Sequence, residues 1–296
     1  MTVYEPGSVD DVARYQANKL AKEGDAAFVR ACGEFARNDA FRSLNETIIA
    51  NVGRDRDKGA RFARVPTGGG TCMFCLMLAS RGAVYHTRKS AGEWKYFHRG
   101  CDCKVVPSFE RDPYAEVVEG VKSCELQERY KVFKQIDSME TLDDSNKKEL
   151  KERALKVDVG SIAGKKLGSV KYVKQRDLLE EHERAGIDYL LLNGFDVETI
   201  DEDPGAPENL DISMNGELWE MKNLTNCASS VSNQAKRARI KWFKLGLSSP
   251  SRCVFTNEGN RGRFGETCAA LEKRRRHGEV FLAASDSGVI HVLKDK

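Results

Sequence analysis

Apolar residues recur along this chain with two spacings, one helical and one of period two. Helical spacing recurs in five stretches: 9–52, 112–152, 177–193, 228–245 and 266–276. Strand patterns occur in six shorter stretches: 195–199, 210–214, 218–222, 252–256, 279–284 and 289–293. All of these strand patterns lie in the second half. The sequence therefore predicts an α+β multidomain chain, with a helical N-terminal half and a C-terminal mixed α/β core.

Residues 146–176 divide the two halves and differ from both in composition. They are rich in Lys and Arg and contain Gly160, Gly164 and Gly168. This composition predicts a basic linker between a domain over 1–145 and a domain over 177–296. Such a linker either contacts nucleic-acid phosphates or is a solvated connection.

Composition adds little beyond this outline. The 296 residues have room for roughly two domains. A net charge of +3 is too small to indicate a nucleic-acid partner by itself. The longest apolar stretch, 72–79, is far too short to span a membrane, and the N-terminus carries no signal pattern. We expect a soluble protein that begins in a cytoplasm and has no membrane partner.

Four of the nine cysteines cluster in the first half. Cys72 and Cys75 form a Cys-x2-Cys pair, and His98, Cys101 and Cys103 follow after a gap. This spacing is typical of tetrahedral zinc sites, and we predict a structural zinc ion held by the pair and by two of the other three residues. His98 is either a ligand or a donor to one. The alternatives are a disulfide or buried thiols without a metal.

The segment around these cysteines reads CMFCLMLASRGAVYHT, followed by SAGEWKYFHRGCDCKVVPSF. Together with the preceding helical run, residues 66–109 resemble the signature segment of phage minor capsid (MuF-like head morphogenesis) proteins. Members of that family carry the same paired cysteines and HxxCxC pattern. The resemblance implies a role in the phage head, presence in the virion, and capsid or portal proteins as partners.

The stretch 208–224 holds the strongest candidate chemistry in the second half. Asn215-Gly216 between two alternating runs is a strong hairpin signal. Glu220 and Lys222 share one face of the second strand, and Asp211 lies across the turn. Two carboxylates beside an amine can hold a divalent cation and bring a water molecule to a phosphodiester.

Two helical stretches flank this hairpin. Glu183 falls on the apolar stripe of 177–193, where a buried carboxylate needs a partner such as a metal ion, or it lies at the edge in water. In 228–245, four polar or basic residues share one helix face: Gln234, Arg237, Lys241 and Lys244. No acidic residue occurs between 233 and 244. This face suits a phosphodiester substrate. The alternative is that it is an ordinary solvated face.

The order of these motifs resembles the PD-(D/E)xK nuclease superfamily over about 177–295. It runs from the helical Glu through LLLNGFDV, Asp211, Glu220-x-Lys222 and the basic helix to the closing segment VFLAASDSGVIHVL. More narrowly, it is similar to the C-terminal tRNase toxin domains of bacterial contact-dependent inhibition systems. One departure is Leu210, which stands where the superfamily often has a proline.

The resemblance implies a metal-dependent endonuclease that uses Mg²⁺ or Mn²⁺. Asp211, Glu220 and the Met221 carbonyl would ligate the ion, with Glu183 binding directly or through water. Lys222 would position or deprotonate the attacking water. Three residues would contact the substrate backbone: Gln234, Arg237 and Lys241.

The implied substrate is nucleic acid, with RNA or tRNA favoured and DNA as the alternative. A toxin of this kind would also have an immunity protein and would act in the bacterial host cytoplasm. A competing hypothesis is a structural virion protein without activity. A metal-free ribonuclease with paired histidines is disfavoured, because His182, His277 and His291 form no recognisable motif.

Overall fold

The computed structural model describes most of the chain. The described residues are 14–15, 17–18, 20–68, 71–91, 103–201, 209–224, 227–257, 263–286, 288 and 290–293. The chain divides into two compact units, Met1–Ser123 and Cys124–Lys296. This boundary lies before the linker that the sequence predicted over 146–176.

The first unit combines a long helix with a two-stranded sheet. Its elements are α1 (Asp25–Arg54), β1 (Arg61–Pro66), α2 (Met73–Ala79) and β2 (Cys103–Ser108). The strands are antiparallel and extend from the Arg61–Ser108 pair to the Pro66–Cys103 pair. Ile49 and Val52, near the end of α1, pack in one core with residues of the sheet and α2. The Oδ1 atom of Asn45 accepts a hydrogen bond from the Val105 N–H at 3.0 Å.

The strand β1 was not expected from the sequence, which predicted a helical first half. Its run Arg-Phe-Ala-Arg-Val-Pro contains two arginines, and charge normally indicates exposure. Arg64 is nevertheless buried, because its guanidinium donates to the Ala91 carbonyl at 3.3 Å and lies 3.7 Å from the Cys75 Sγ. A paired guanidinium can occupy a core position that a charge-based interpretation assigns to solvent.

The second unit is a mixed α/β structure. Its elements in chain order are α3 (Ser123–Asp137), α4 (Asp144–Lys156), α5 (Val159–Ile162), β3 (Val170–Lys171), α6 (Glu181–Leu192), β4 (Val197–Thr199), β5 (Ile212–Met214), β6 (Glu217–Asn223), α7 (Cys227–Lys244), β7 (Arg252–Asn257), α8 (Phe264–Arg274), β8 (Val280–Ser285) and β9 (His291–Leu293). The seven strands lie side by side in the order β3 to β9. Three neighbouring pairs are parallel, namely β3–β4, β6–β7 and β7–β8, and the other three are antiparallel.

Residues 146–176 differ from the linker that their composition indicated. They contain most of α4, all of α5 and the strand β3, which pairs with β4. Arg153 and Arg176 are both buried in this stretch, in ion pairs with Asp188. Part of the positive charge therefore neutralises a buried carboxylate. The helix expected from residue 112 begins only at Ser123.

The predicted hairpin is present between β5 and β6. Ile212 pairs with Trp219 and Met214 pairs with Glu217, so two residues form the turn. Asn215 and Gly216 both have positive φ values, 52° and 77°. A two-residue turn of this kind needs left-handed backbone at both positions, which Asn and Gly adopt with little strain. The local sequence thus accounts for the register.

Helices cover both faces of the sheet around β6. Residues of α7 and α8 form one core with β7 and β8: Val231, Ala235, Ala238, Cys253, Phe255, Leu271, Phe281 and Ala283. On the opposite face, α6 approaches closely at Gly186, where an added Cβ would lie 2.2 Å from the Met221 Cε atom. Since strand side chains alternate, Glu220 and Lys222 face α7 while Met221 faces α6.

Of the helices that fall within the described residues, none has both the length and the apolar character needed to cross a membrane.

Candidate active site

The hairpin brings Asp211 and Glu220 to the same place. Asp211 lies just before β5, where its N–H donates to the Trp219 carbonyl at 3.2 Å. Its carboxylate oxygen Oδ2 accepts a hydrogen bond from the Met221 N–H. This contact holds the Asp211 carboxylate beside the backbone of β6, next to Glu220.

Two lysines contact this carboxylate pair. The ammonium of Lys222 contacts the Glu220 Oε1 atom and lies 3.3 Å from the Met221 carbonyl oxygen. The ammonium of Lys241, from α7, lies 2.6 Å from the Glu220 Oε2 atom and 3.4 Å from the Asp211 Oδ1 atom. The cluster therefore places two cations against two anions, and its charges balance.

Burial decreases from the base of the cluster to its rim. The Glu220 side chain has no solvent exposure, whereas those of Asp211, Lys222 and Lys241 are 19%, 21% and 19% exposed. Burial and the charge of Asp211 raise the pKa of Glu220, against the opposing effect of the two lysines. Burial alone would lower the pKa of Lys241, but the carboxylates of Asp211 and Glu220 outweigh it and raise this pKa.

The oxygen atoms in the cluster fit a small divalent cation. Carboxylate oxygens of Asp211 and Glu220 and the carbonyl oxygen of Met221 all contact a lysine ammonium. The Oε2 atom of Glu220 makes its ion pair with Lys241 but has no partner in hydrogen-bond geometry within the described chain. Oxygen donors of this kind suit Mg²⁺ or Mn²⁺ better than zinc.

The structure does not bring Glu183 into this group. Its carboxylate accepts the Glu180 N–H at 2.7 Å and completes a capping box at the start of α6. The helix α6 covers the sheet face opposite to the one that Glu220 faces. Across the parts of the chain that the structure describes, no three His, Cys, Asp or Glu side chains form a metal-binding group.

The helix α7 has the two faces that its sequence predicts. Val231, Ala235, Ala238 and Trp242 are buried. On the polar and basic face, Arg237 and Lys244 are exposed and Gln234 is half-buried. Lys241 instead contacts the carboxylates. No local sequence signal could have shown this contact, because Lys241 lies 30 residues from Asp211.

The predicted zinc ligands are described only in part. Cys72 is the N-cap of α2, where its Sγ atom accepts the Cys75 N–H at 3.4 Å. Cys75 is buried, as is Cys103 at the start of β2. His98 and Cys101 lie outside the described residues. The structural zinc site stays a prediction.

A largely buried ion pair joins α7 to the residue that precedes β8. Arg239 donates to both Glu279 carboxylate oxygens, at 2.6 and 2.7 Å, and to the Arg274 carbonyl at the end of α8. Glu279 also accepts from the Ser251 hydroxyl and the Arg276 N–H. Burial alone would raise the pKa of Glu279, but these hydrogen bonds, Arg239 first, lower it.

We expect Glu279→Gln to lower the free energy of unfolding by about 3 kcal/mol at neutral pH, because the Arg239 guanidinium loses its buried counter-charge. A lowered folded-state pKa stabilises the protein above the ordinary glutamate pKa of 4.5, and this stabilisation is lost as the pH falls through the lower value. The difference in the free energy of unfolding between the wild type and Glu279→Gln should therefore shrink in acid. Denaturant unfolding at several pH values measures it.

The control is Glu217→Gln. Glu217 pairs with Arg252 at 2.7 Å but is half exposed, so its removal should cost less than about 1 kcal/mol. A Glu279→Gln effect that equals the control, or that does not change with pH, would contradict the role given to this ion pair.

The first unit matches a known protein family. The model of the VG15 protein family, a viral protein family, matches residues 2–133. The match therefore covers the described first unit and most of α3. Comparisons with curated proteins and with solved structures find no match to the chain.

Proposed function

We propose that the second unit is a metal-dependent endonuclease that hydrolyses phosphodiester bonds of nucleic acid. The observation that carries the proposal is the meeting of Asp211, Glu220 and Lys222 at one end of α7. That helix exposes Lys236, Arg237 and Lys244. This arrangement agrees with the motif order that resembles PD-(D/E)xK nucleases. The oxygen-rich donor set supports Mg²⁺ or Mn²⁺ as the cofactor.

Each residue of the cluster has a role in this proposal. Asp211 and Glu220 would hold the cation through their carboxylates, and the Met221 carbonyl would supply a third oxygen. When bound, the ion lowers the pKa of a water molecule and offsets negative charge at the phosphorus. The Lys222 ammonium, held by Glu220 and the Met221 carbonyl, orients the attacking water and stabilises the phosphate charge. Glu183 has no role in the cluster, because its carboxylate closes the cap of α6 on the opposite face of the sheet.

The helix α7 supplies the substrate contacts. Gln234 and Arg237 lie on the same helix face as Lys241 and would bind backbone phosphates on the approach to the cluster. These contacts do not read bases. The resemblance to tRNase toxins favours RNA, and tRNA within it, as the substrate class, with DNA as the second candidate.

The family match supports a setting for this activity. Because residues 2–133 match a viral family, we propose that the first unit is a minor capsid-like module that places the nuclease in a phage virion. Capsid or portal proteins would be its partners, the structural zinc ion would hold the segment 72–103, and cleavage would follow in the host cytoplasm. An immunity protein would protect a producing cell.

The test is incubation of the purified full-length protein with total tRNA, plasmid and single-stranded DNA. We expect tRNA cleavage with Mg²⁺ or Mn²⁺ and none when EDTA removes the ion. Preferential cleavage of DNA would change the substrate class and leave the chemistry in place. Cleavage that survives EDTA would show that the reaction needs no metal ion.

If the folded protein cuts none of the three substrates with either ion, the nuclease proposal fails. The family match would then support a purely structural virion protein.

A further inference from the structure

Lys241 contacts the same oxygen atoms that the proposed cation would use. Its ammonium lies 2.6 Å from one Glu220 oxygen and 3.4 Å from one Asp211 oxygen. Lys222 contacts the other Glu220 oxygen. One ammonium thus bridges the two carboxylates, and a divalent cation that binds both must come close to it.

The carboxylates need such a bridge in the absence of a cation. Glu220 is fully buried, and its carboxylate shares the Lys241 ammonium with that of Asp211, so two like charges lie close together. Lys241 reduces this repulsion by contacting both side chains. When a divalent ion takes over that function, its two positive charges repel the ammonium at short range.

We propose that Lys241 is a displaceable counter-ion, which bridges Asp211 and Glu220 until a divalent cation expels it from the carboxylates. The proposal rests on the nuclease function proposed above. Lys241 belongs to the helix row that contains Gln234, Arg237 and Lys244, and its side chain is only partly buried. The expelled ammonium can therefore bind a phosphate of a substrate that lies along that row. Cation binding would thus prepare the site for the substrate.

The inference is tested by Mn²⁺ binding to the full-length protein, measured by calorimetry at fixed pH and ionic strength. Lys241→Met should bind Mn²⁺ about tenfold more tightly than the wild type, because the competing ammonium is gone. The matched control is Lys236→Met on the same helix, where an exposed lysine is lost. The control should change the Mn²⁺ affinity less than about twofold.

The sign of the change separates competition from a purely structural role. A lysine that only holds the carboxylates in position would weaken Mn²⁺ binding when removed. Thermal unfolding supplies a second measurement: Lys241→Met should melt below the wild type in EDTA, and Mn²⁺ should raise its melting temperature by more than that of the wild type. Lys241→Gln, which keeps a polar contact, replaces the Met variant if the latter does not fold.

The outcomes distinguish this inference from the nuclease proposal. Mn²⁺ binding by the wild type with equal or weaker binding by the Lys241 variants overturns the counter-ion role alone. Binding only by the variants supports it. If neither the wild type nor a folded variant binds Mn²⁺, both proposals fail together.

Discussion

Glu220→Gln should reduce nucleic-acid cleavage by about 10³-fold or more. The substitution keeps the size of the side chain but removes the charge that would hold the cation at the base of the cluster. It also removes the anion that Lys222 contacts. Because the loss affects charge stabilisation in the transition state, we expect it in the turnover rate at saturating Mg²⁺ and tRNA.

Two further variants make this prediction specific. Lys222→Met should cause a loss of similar size, because the ammonium that orients the water is missing. Glu217→Gln lies on the same strand, half exposed and paired with Arg252, and should keep wild-type cleavage. Circular dichroism confirms that each variant is folded. Wild-type activity in folded Glu220→Gln would exclude this cluster as the active site.

Asp188→Asn should lower the free energy of unfolding of the second unit by about 3 to 5 kcal/mol. Asp188 is buried on α6 and accepts two hydrogen bonds from Arg176, both at 2.8 Å. The Nε atom of Arg153 lies 2.9 Å from the same carboxylate. With an amide in place of the Asp188 carboxylate, the two buried guanidiniums keep their contacts with Glu149, whose side chain is about a third exposed.

The pKa of Arg176 reflects the same dependence, since burial alone would lower it and the Asp188 charge raises it above its ordinary value. Removal of the carboxylate therefore leaves the cost of burial opposed by the contacts of Arg176 with Glu149 and the Tyr172 hydroxyl. The affected groups lie on α4, α6 and the segment before α6, so the variant should loosen the part of the chain whose composition suggested a linker.

Fluorescence can follow this loss in the intact protein. The chain has three tryptophans, and replacement of Trp94 by Phe leaves Trp219 and Trp242, which are both buried in the second unit. The control is Glu198→Gln, whose exposed pair with Lys171 should contribute less than about 1 kcal/mol. Equal shifts for the two variants in a urea titration would contradict the importance of the buried network.

Local signals in the sequence were sufficient for the hairpin and for α7. Asn215 and Gly216 determine a two-residue turn, and the alternation around them determines which side chains share a face. The prediction that Glu220, Lys222 and Asp211 converge follows from these two facts. The apolar stripe of α7 likewise needs only the spacing of its own residues.

Charged residues were the main source of error. Arg153 and Arg176 are buried, although composition assigned their stretch to a linker. Arg64 is buried in a strand that the sequence did not predict. Glu183 was assigned to the metal because it lies on an apolar stripe, whereas its carboxylate satisfies the N–H of Glu180. In each case the partner of a charged group decided its place.

By itself the sequence determined the elements around the candidate site and the side of β6 on which its charges lie, since these depend on residues that are close in the chain. Only the tertiary structure decided that Lys241 bridges Asp211 and Glu220 and that Glu183 does not join them. The reason is that ionic contacts depend on how α6 and α7 pack against opposite faces of the sheet, and no spacing within either helix contains that information.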